Sequence, residues 1–178
     1  MIPYGGKELA RGFRTVRKNT VQVAEDIPES KYDFVAAPEV KSVAQMLTHI
    51  ALVTGFWDEI HRKQRLTTMV GFNFAPLMER AQADEAKVRS KAEILELLGA
   101  EGQQFAAWLE TLTPEFLSEM VTEPDGTAKS RFESLLGAKE HEMHHRAQLM
   151  LIERQLGIVP HLTRQRAERM AQMRAAKA

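Results

Sequence analysis

His141 and His145 stand four residues apart in a stretch of helical periodicity, so their imidazoles project from consecutive turns of one helix face. Two rings placed this way can bind one ion. His49, three residues after Met46 and four before Val53, lies at the edge of a second apolar seam and can point into the same interior. Three imidazoles from two helices make the partial shell of an open zinc or nickel site, with a further position left for water or substrate. The plainer alternative is a pair of buried neutral histidines, each satisfied by a hydrogen bond. Desolvation favours the ion, because each unpaired lone pair in an apolar interior costs roughly 1–3 kcal/mol and one divalent cation satisfies all of them together.

Other polar residues near these positions have weaker claims. His144 lies about 80° around the helix from the mean direction of His141 and His145, which suits the rim of a site better than direct ligation. Glu101 falls between Leu98 and Phe105 on an inward face, beside the space left by Gly102, where it could orient a histidine, bind the metal or act as a base. Arg146 is the nearest candidate for an anionic group on a cofactor, although a salt bridge on the helix surface is the preferred reading. His61 and His161, at a helix end and in the C-terminal stretch, read as ordinary solvated histidines.

The elements that must position these residues are helices. Prolines at 3, 28, 38, 76, 114, 124 and 160 divide the chain, and the long intervals between them show helical rather than alternating periodicity. The first helix spans about 5 to 26, with Leu9, Phe13, Val16, Thr20 and Val23 on one face. The second begins after Pro38 and runs to about 64, carrying the seam Val43, Met46, Ile50, Val53, Trp57 and Ile60. The third spans about 91 to 112, with Ile94, Leu98, Phe105, Trp108 and Leu112 inward. The fourth spans about 130 to 156 and places Leu135, Ala138, His141, His145, Leu149, Ile152 and Leu156 on one stripe before Gly157 and Pro160 close it.

Between the second and third helices, residues 65–90 form a connection long enough to cross over between parallel or non-adjacent helices, and its polar ADEAKVRSKAE part can itself be helical. Residues 113–129 read as a turn-rich loop with room for a short hairpin. No internal repeat is present. The final TRQRAERMAQMRAAKA, with five basic residues and one acid, reads as a short terminal helix, solvated or facing a dimer partner. The expected architecture is therefore one all-α four-helix bundle over 1–160 with a helical tail over 161–178.

Composition narrows the function. The 178 residues hold 24 Lys plus Arg and 24 Asp plus Glu, so no global field attracts nucleic acid or an anionic membrane. Cysteine is absent, which removes disulfides, thiolate ligands and a cysteine nucleophile. No segment approaches the ~20 apolar residues of a membrane span, and the N-terminus lacks the apolar run of a signal peptide. A soluble cytoplasmic protein with no membrane or nucleic-acid partner is the expectation.

Leu47-Thr48-His49-Ile50 and His141-Glu142-Met143-His144-His145-Arg146-Ala147-Gln148-Leu149 resemble the two signatures of the DinB/YfiT-like superfamily. Pro28 to Phe34, followed by Pro38 and Val43, is similar to that family's first loop and the start of its second helix. The resemblance extends over roughly residues 5 to 160, with Ala147 standing where relatives often have glycine. It implies a four-helix bundle with a long connection between helices two and three, frequently a homodimer, and a divalent metal, zinc or nickel foremost, held by His49, His141 and His145. Some members use a low-molecular-weight thiol in transfer or isomerisation, others are described as metal-dependent hydrolases, and many have no known activity. The resulting expectation is a metal-dependent enzyme that activates a thiol or water toward a small-molecule substrate. The competing reading is a non-catalytic bundle, stress-related or of unknown role, that binds a metal or small ligand.

Overall fold

The computed structural model describes residues 4–177; Pro3, the first of the proline breaks, and the chain ends lie outside the described residues. The helices are α1 (Gly6–Asp26), α2 (Val43–Leu52), α3 (Thr54–Trp57), α4 (Ala75–Glu85), α5 (Lys91–Glu110), α6 (Pro114–Ser118), α7 (Arg131–Gln155) and α8 (His161–Ala175). Strands β1 (Met120–Thr122) and β2 (Ala128–Ser130) pair antiparallel, Val121 opposite Lys129, so the 113–129 loop does contain a hairpin.

Four of these helices form the bundle, and its arrangement follows from which ends meet. Lys91, at the start of α5, donates to the carbonyls of Glu25 and Ile27 at the end of α1. The loop leading into α2 is tied to the same end, Tyr32 donating to the Ala24 carbonyl. Both α2 and α5 therefore run antiparallel to α1, and α7, whose Arg146 donates to the Val16 carbonyl, runs parallel to it. α1 packs on α5 and α7, and α2 packs on the same two, so successive bundle helices α1 and α2 lie diagonally opposed. The long connection 65–90 joins the parallel neighbours α2 and α5, as its length suggested.

Helix starts obey local chemistry. Ser42, Ser90 and Ser130 each accept from the backbone N–H three residues on, while Gln45, Glu93 and Glu133 reach back to the cap nitrogen. The cap at Ser42 starts the second helix at Val43, later than the break at Pro38 suggested. α7 ends where Gly157 takes φ 78°, a conformation that glycine adopts without strain.

The expected continuous second helix is interrupted. The helix breaks at Val53, resumes as α3 over Thr54–Trp57, and passes into a π-helical turn at Asp58–Lys63. Thr54, Asp58 and His61 continue the buried face of Leu47 and Ile50 at helical spacing, where Val53 and Trp57 were expected to be deepest, and Ile60 is buried as expected.

Apart from a smaller cluster of Ile60, Met69 and Val121, the core is split into two apolar layers. One contains Val23, Ile27, Leu47, Ile50, Leu98 and Leu149; the other contains Leu9, Phe13, Phe105, Leu109, Leu135 and Ala138. Arg17 lies between them, donating to both oxygens of Glu142 and to the carbonyls of Leu98 and Ile50, and so ties all four bundle helices together. Gly102 makes this possible, since a Cβ there would stand 2.8 Å from Arg17 Cγ.

Candidate metal centre

α2 and α7 together present three histidines to one point. The ligand-capable nitrogens of His49, His141 and His145 all lie within 4.8 Å of one another. His49 Nε2 and His141 Nε2 are 3.3 Å apart, close to the spacing that two nitrogens about 2.0–2.1 Å from a common tetrahedral ion would have. The His145 ring packs edge-on against both others, with centroids at 4.9 and 4.6 Å.

Two outer contacts set the ring tautomers. His49 Nδ1 lies 2.6 Å from Glu85 Oε1, and His145 Nδ1 lies 2.8 Å from Gln148 Oε1. A carboxylate and an amide oxygen can only accept, so each Nδ1 carries the proton and each Nε2 turns a lone pair toward the shared point. His141 Nδ1 is buried with no partner among the described residues. Burial, followed by the charges of His145 and His49, pushes the His141 pKa down to about 4. Burial also lowers that of His145, against the opposing bond to Gln148. Both rings are thus neutral near pH 7, the state a metal requires. The donor set, tautomers and spacing fit a divalent cation.

Glu85 belongs to α4, inside the long connection. Burial would raise its pKa, but hydrogen bonds from Lys41 and His49 outweigh this and hold the carboxyl below its usual range. Its second oxygen takes a 2.6 Å contact from Lys41 Nζ. Nothing in the local pattern pointed to Glu85, which meets His49 from 36 positions away through a tertiary fold-back. Gln148, by contrast, sits within reach of His145 by helix spacing alone.

The histidines are less deep than expected. Glu142 and Arg146 occupy the buried stripe of α7, while His141 and His145 flank it, half-buried in the groove toward α2. Leu135, Ala138, Leu149 and Ile152 are buried as expected, and only in the middle of α7 does the buried stripe run one position beyond the histidines. The consequence is a site that opens outward. His144 is exposed at its rim, its ring 5.0 Å from that of His145, with Gln148 nearby.

Other expectations are corrected. Arg146 makes no surface salt bridge among the described residues; it is buried and donates to the Val16 carbonyl of α1. Glu101 opens on a separate cavity lined by Thr54, Gly55, Asp58 and Lys63, and the carboxylate that orients a histidine is Glu85. His61 and His161 are buried rather than solvated. His61 lies between Arg131 and Ser134, and α8 docks His161 against Asn19 of α1. Among the described residues no helix is long and apolar enough to cross a membrane.

Comparison with known proteins places this geometry in context. A family model described as the DinB superfamily matches residues 13–149. The fold matches YfiT from Bacillus subtilis with a TM-score of 0.67 at 17% identity, covering 86% of this chain and 88% of that one. YfiT is described as a probable metal-dependent hydrolase with an unusual four-helix bundle topology. A DinB-like protein from Bacillus subtilis matches with a TM-score of 0.62 at 21% identity, covering 84% and 92%. An uncharacterized protein from Clostridium difficile 630 matches with a TM-score of 0.62 at 15% identity, covering 86% and 98%. A search of curated proteins finds no match.

Proposed function

The chain belongs to the DinB superfamily, and from that premise we propose that it is a metal-dependent enzyme, a hydrolase acting on a small molecule, with His49, His141 and His145 as the metal ligands. The observation that carries this reading is the convergence of the three ligand nitrogens within 4.8 Å at half-buried positions on α2 and α7. His49, His141 and His145 would hold a divalent ion, which would supply Lewis-acid chemistry able to lower the pKa of a bound water. The chain's own part is to hold three imidazole donors in register. Glu85 and Gln148 fix two of the rings, and the outward-facing groove leaves access for substrate. The resemblance to YfiT supports water as the nucleophile.

Thiol activation would use the same three ligands. It is disfavoured by the placement of Arg146, the group suited to an anionic thiol cofactor, which is buried against α1. A purely structural ion would be enclosed, whereas these histidines border the surface. The test is to strip the protein with a chelator, reload it separately with zinc, nickel, cobalt or manganese, and follow hydrolysis of neutral aryl esters and amides. The reading expects activity restored by one or more metals and lost in His145→Ala. Equal rates in stripped and reloaded protein would sink it.

A further inference from the structure

The α2–α7 groove does not end at the histidines. One turn before His141 on α7 lies Gly137, and two turns beyond His49 lies Trp57, whose ring meets His141 edge-on at 6.1 Å between centroids. On the far side of Trp57 the chain forms a cleft of about 260 Å³. Phe56, Trp57, Ile60, Met69 and Phe74 make its apolar wall, with Phe56 and Phe74 stacked at 6.0 Å. Gly137 keeps the wall clear beside the Trp57 ring, which a Cβ there would approach to 3.4 Å. The cleft is smaller than the ~300–1,000 Å³ of drug-sized sites, which suits one aromatic ring on a short chain.

Glu123, Glu133 and Glu140 line the cleft together with Lys129, which is held 3.0 Å from Glu123, and the buried Arg131 beneath its floor is paired with Glu119. Glu133 is engaged in capping α7 through Ser130. Glu140 is exposed and has no ion pair among the described residues. An anionic ligand would meet the unpaired Glu140 carboxylate, and a cation would meet a counter-charge there.

The polar floor does not attack. Arg131 Nη1 donates to His61 Nδ1 at 3.1 Å, which places the ring proton on Nε2, and Nε2 donates to Ser134 Oγ at 2.9 Å. A base able to activate Ser134 would have to accept its proton, so this pair is a rigid wall.

We propose that this cleft is a binding subsite for an arylalkyl ammonium group, holding the body of a substrate whose reacting end reaches the histidine groove past Trp57. Only the word substrate rests on the metal-dependent reading. The cleft is complete in residues that do not touch the triad, apart from the Trp57 edge.

The test uses 2-phenylethylamine against phenylacetate, titrated into full-length protein while the Trp57 indole N–H resonance is followed and assigned with Trp108→Phe. Saturable shifts with the amine are expected, at least tenfold weaker binding of the acid, and loss of amine binding in Gly137→Leu, which fills the cleft. Glu140→Gln should narrow the preference for amine over acid. Phe74→Ala provides a second lesion should Gly137→Leu fail to fold. Repeating the titration in His145→Ala separates the two readings, because amine binding survives there even if no metal is ever held. Equal affinity for amine and acid, or amine binding untouched by both cleft variants, would overturn the subsite.

Discussion

Arg17 Nε stands 3.0 and 3.1 Å from the two carboxylate oxygens of Glu142, the residue that follows His141. Adjacent positions on α7 thus face opposite tasks, His141 toward the groove and Glu142 into the centre of the bundle. Both partners are almost fully buried, so neither can be removed without stranding the other.

Glu142→Ala should therefore lower stability by about 3–5 kcal/mol, the usual cost of an uncompensated buried charge. A paired apolar replacement, Arg17→Met with Glu142→Leu, removes both charges, though it leaves the Leu98 and Ile50 carbonyls without their donor. It should be less destabilising than either single change. Urea unfolding of the three variants decides this, and a double variant as unstable as the sum of the singles would contradict the assignment.

His49→Ala and His145→Ala should each bring metal content to background in protein purified without an affinity tag, as measured by elemental analysis. The parent should carry about one equivalent. Unchanged content in both variants would remove the proposed centre.

Glu85 acts through His49 rather than on substrate. Glu85→Ala should weaken metal affinity by about 10–100-fold, the usual effect of losing an outer partner to a ligating histidine. Glu85→Gln keeps an acceptor for Nδ1, as Gln148 does for His145, and should fall between Ala and parent. Competition with a chromophoric chelator measures the affinity, and the cobalt spectrum of the loaded protein reports whether the ring has turned.

Glu153 is fully buried, with neither carboxylate oxygen hydrogen-bonded among the described residues. Burial, and then the charge of Asp26, raise its pKa from 4.5 to about 7. The unfolded chain loses this proton near 4.5 and the folded protein near 7, so the associated stability is complete below 4.5 and is lost as pH rises to 7. Glu153→Gln, which mimics the neutral acid, should be more stable than parent at pH 8 by about 2 kcal/mol and nearly equal to it at pH 4.5. A gain that is the same at both pH values would show that the carboxyl does not titrate between them.

The residues that could ligate a metal, and the helices carrying them, were legible from the chain because helix periodicity is local: spacing alone places His141 above His145 and assigns α1, α5 and α7 their apolar faces. The depth of each face was not legible. His61, Glu142 and Arg146 are buried, while Trp57, His141 and His145 lie half-buried beside them. Such depths come from the net balance of packing across all four helices, which no single helix encodes. Glu85 and the cleft behind Trp57 were out of reach for the same reason. Each exists only where the long connection folds back on the bundle, a contact between residues whose local patterns carry no trace of one another.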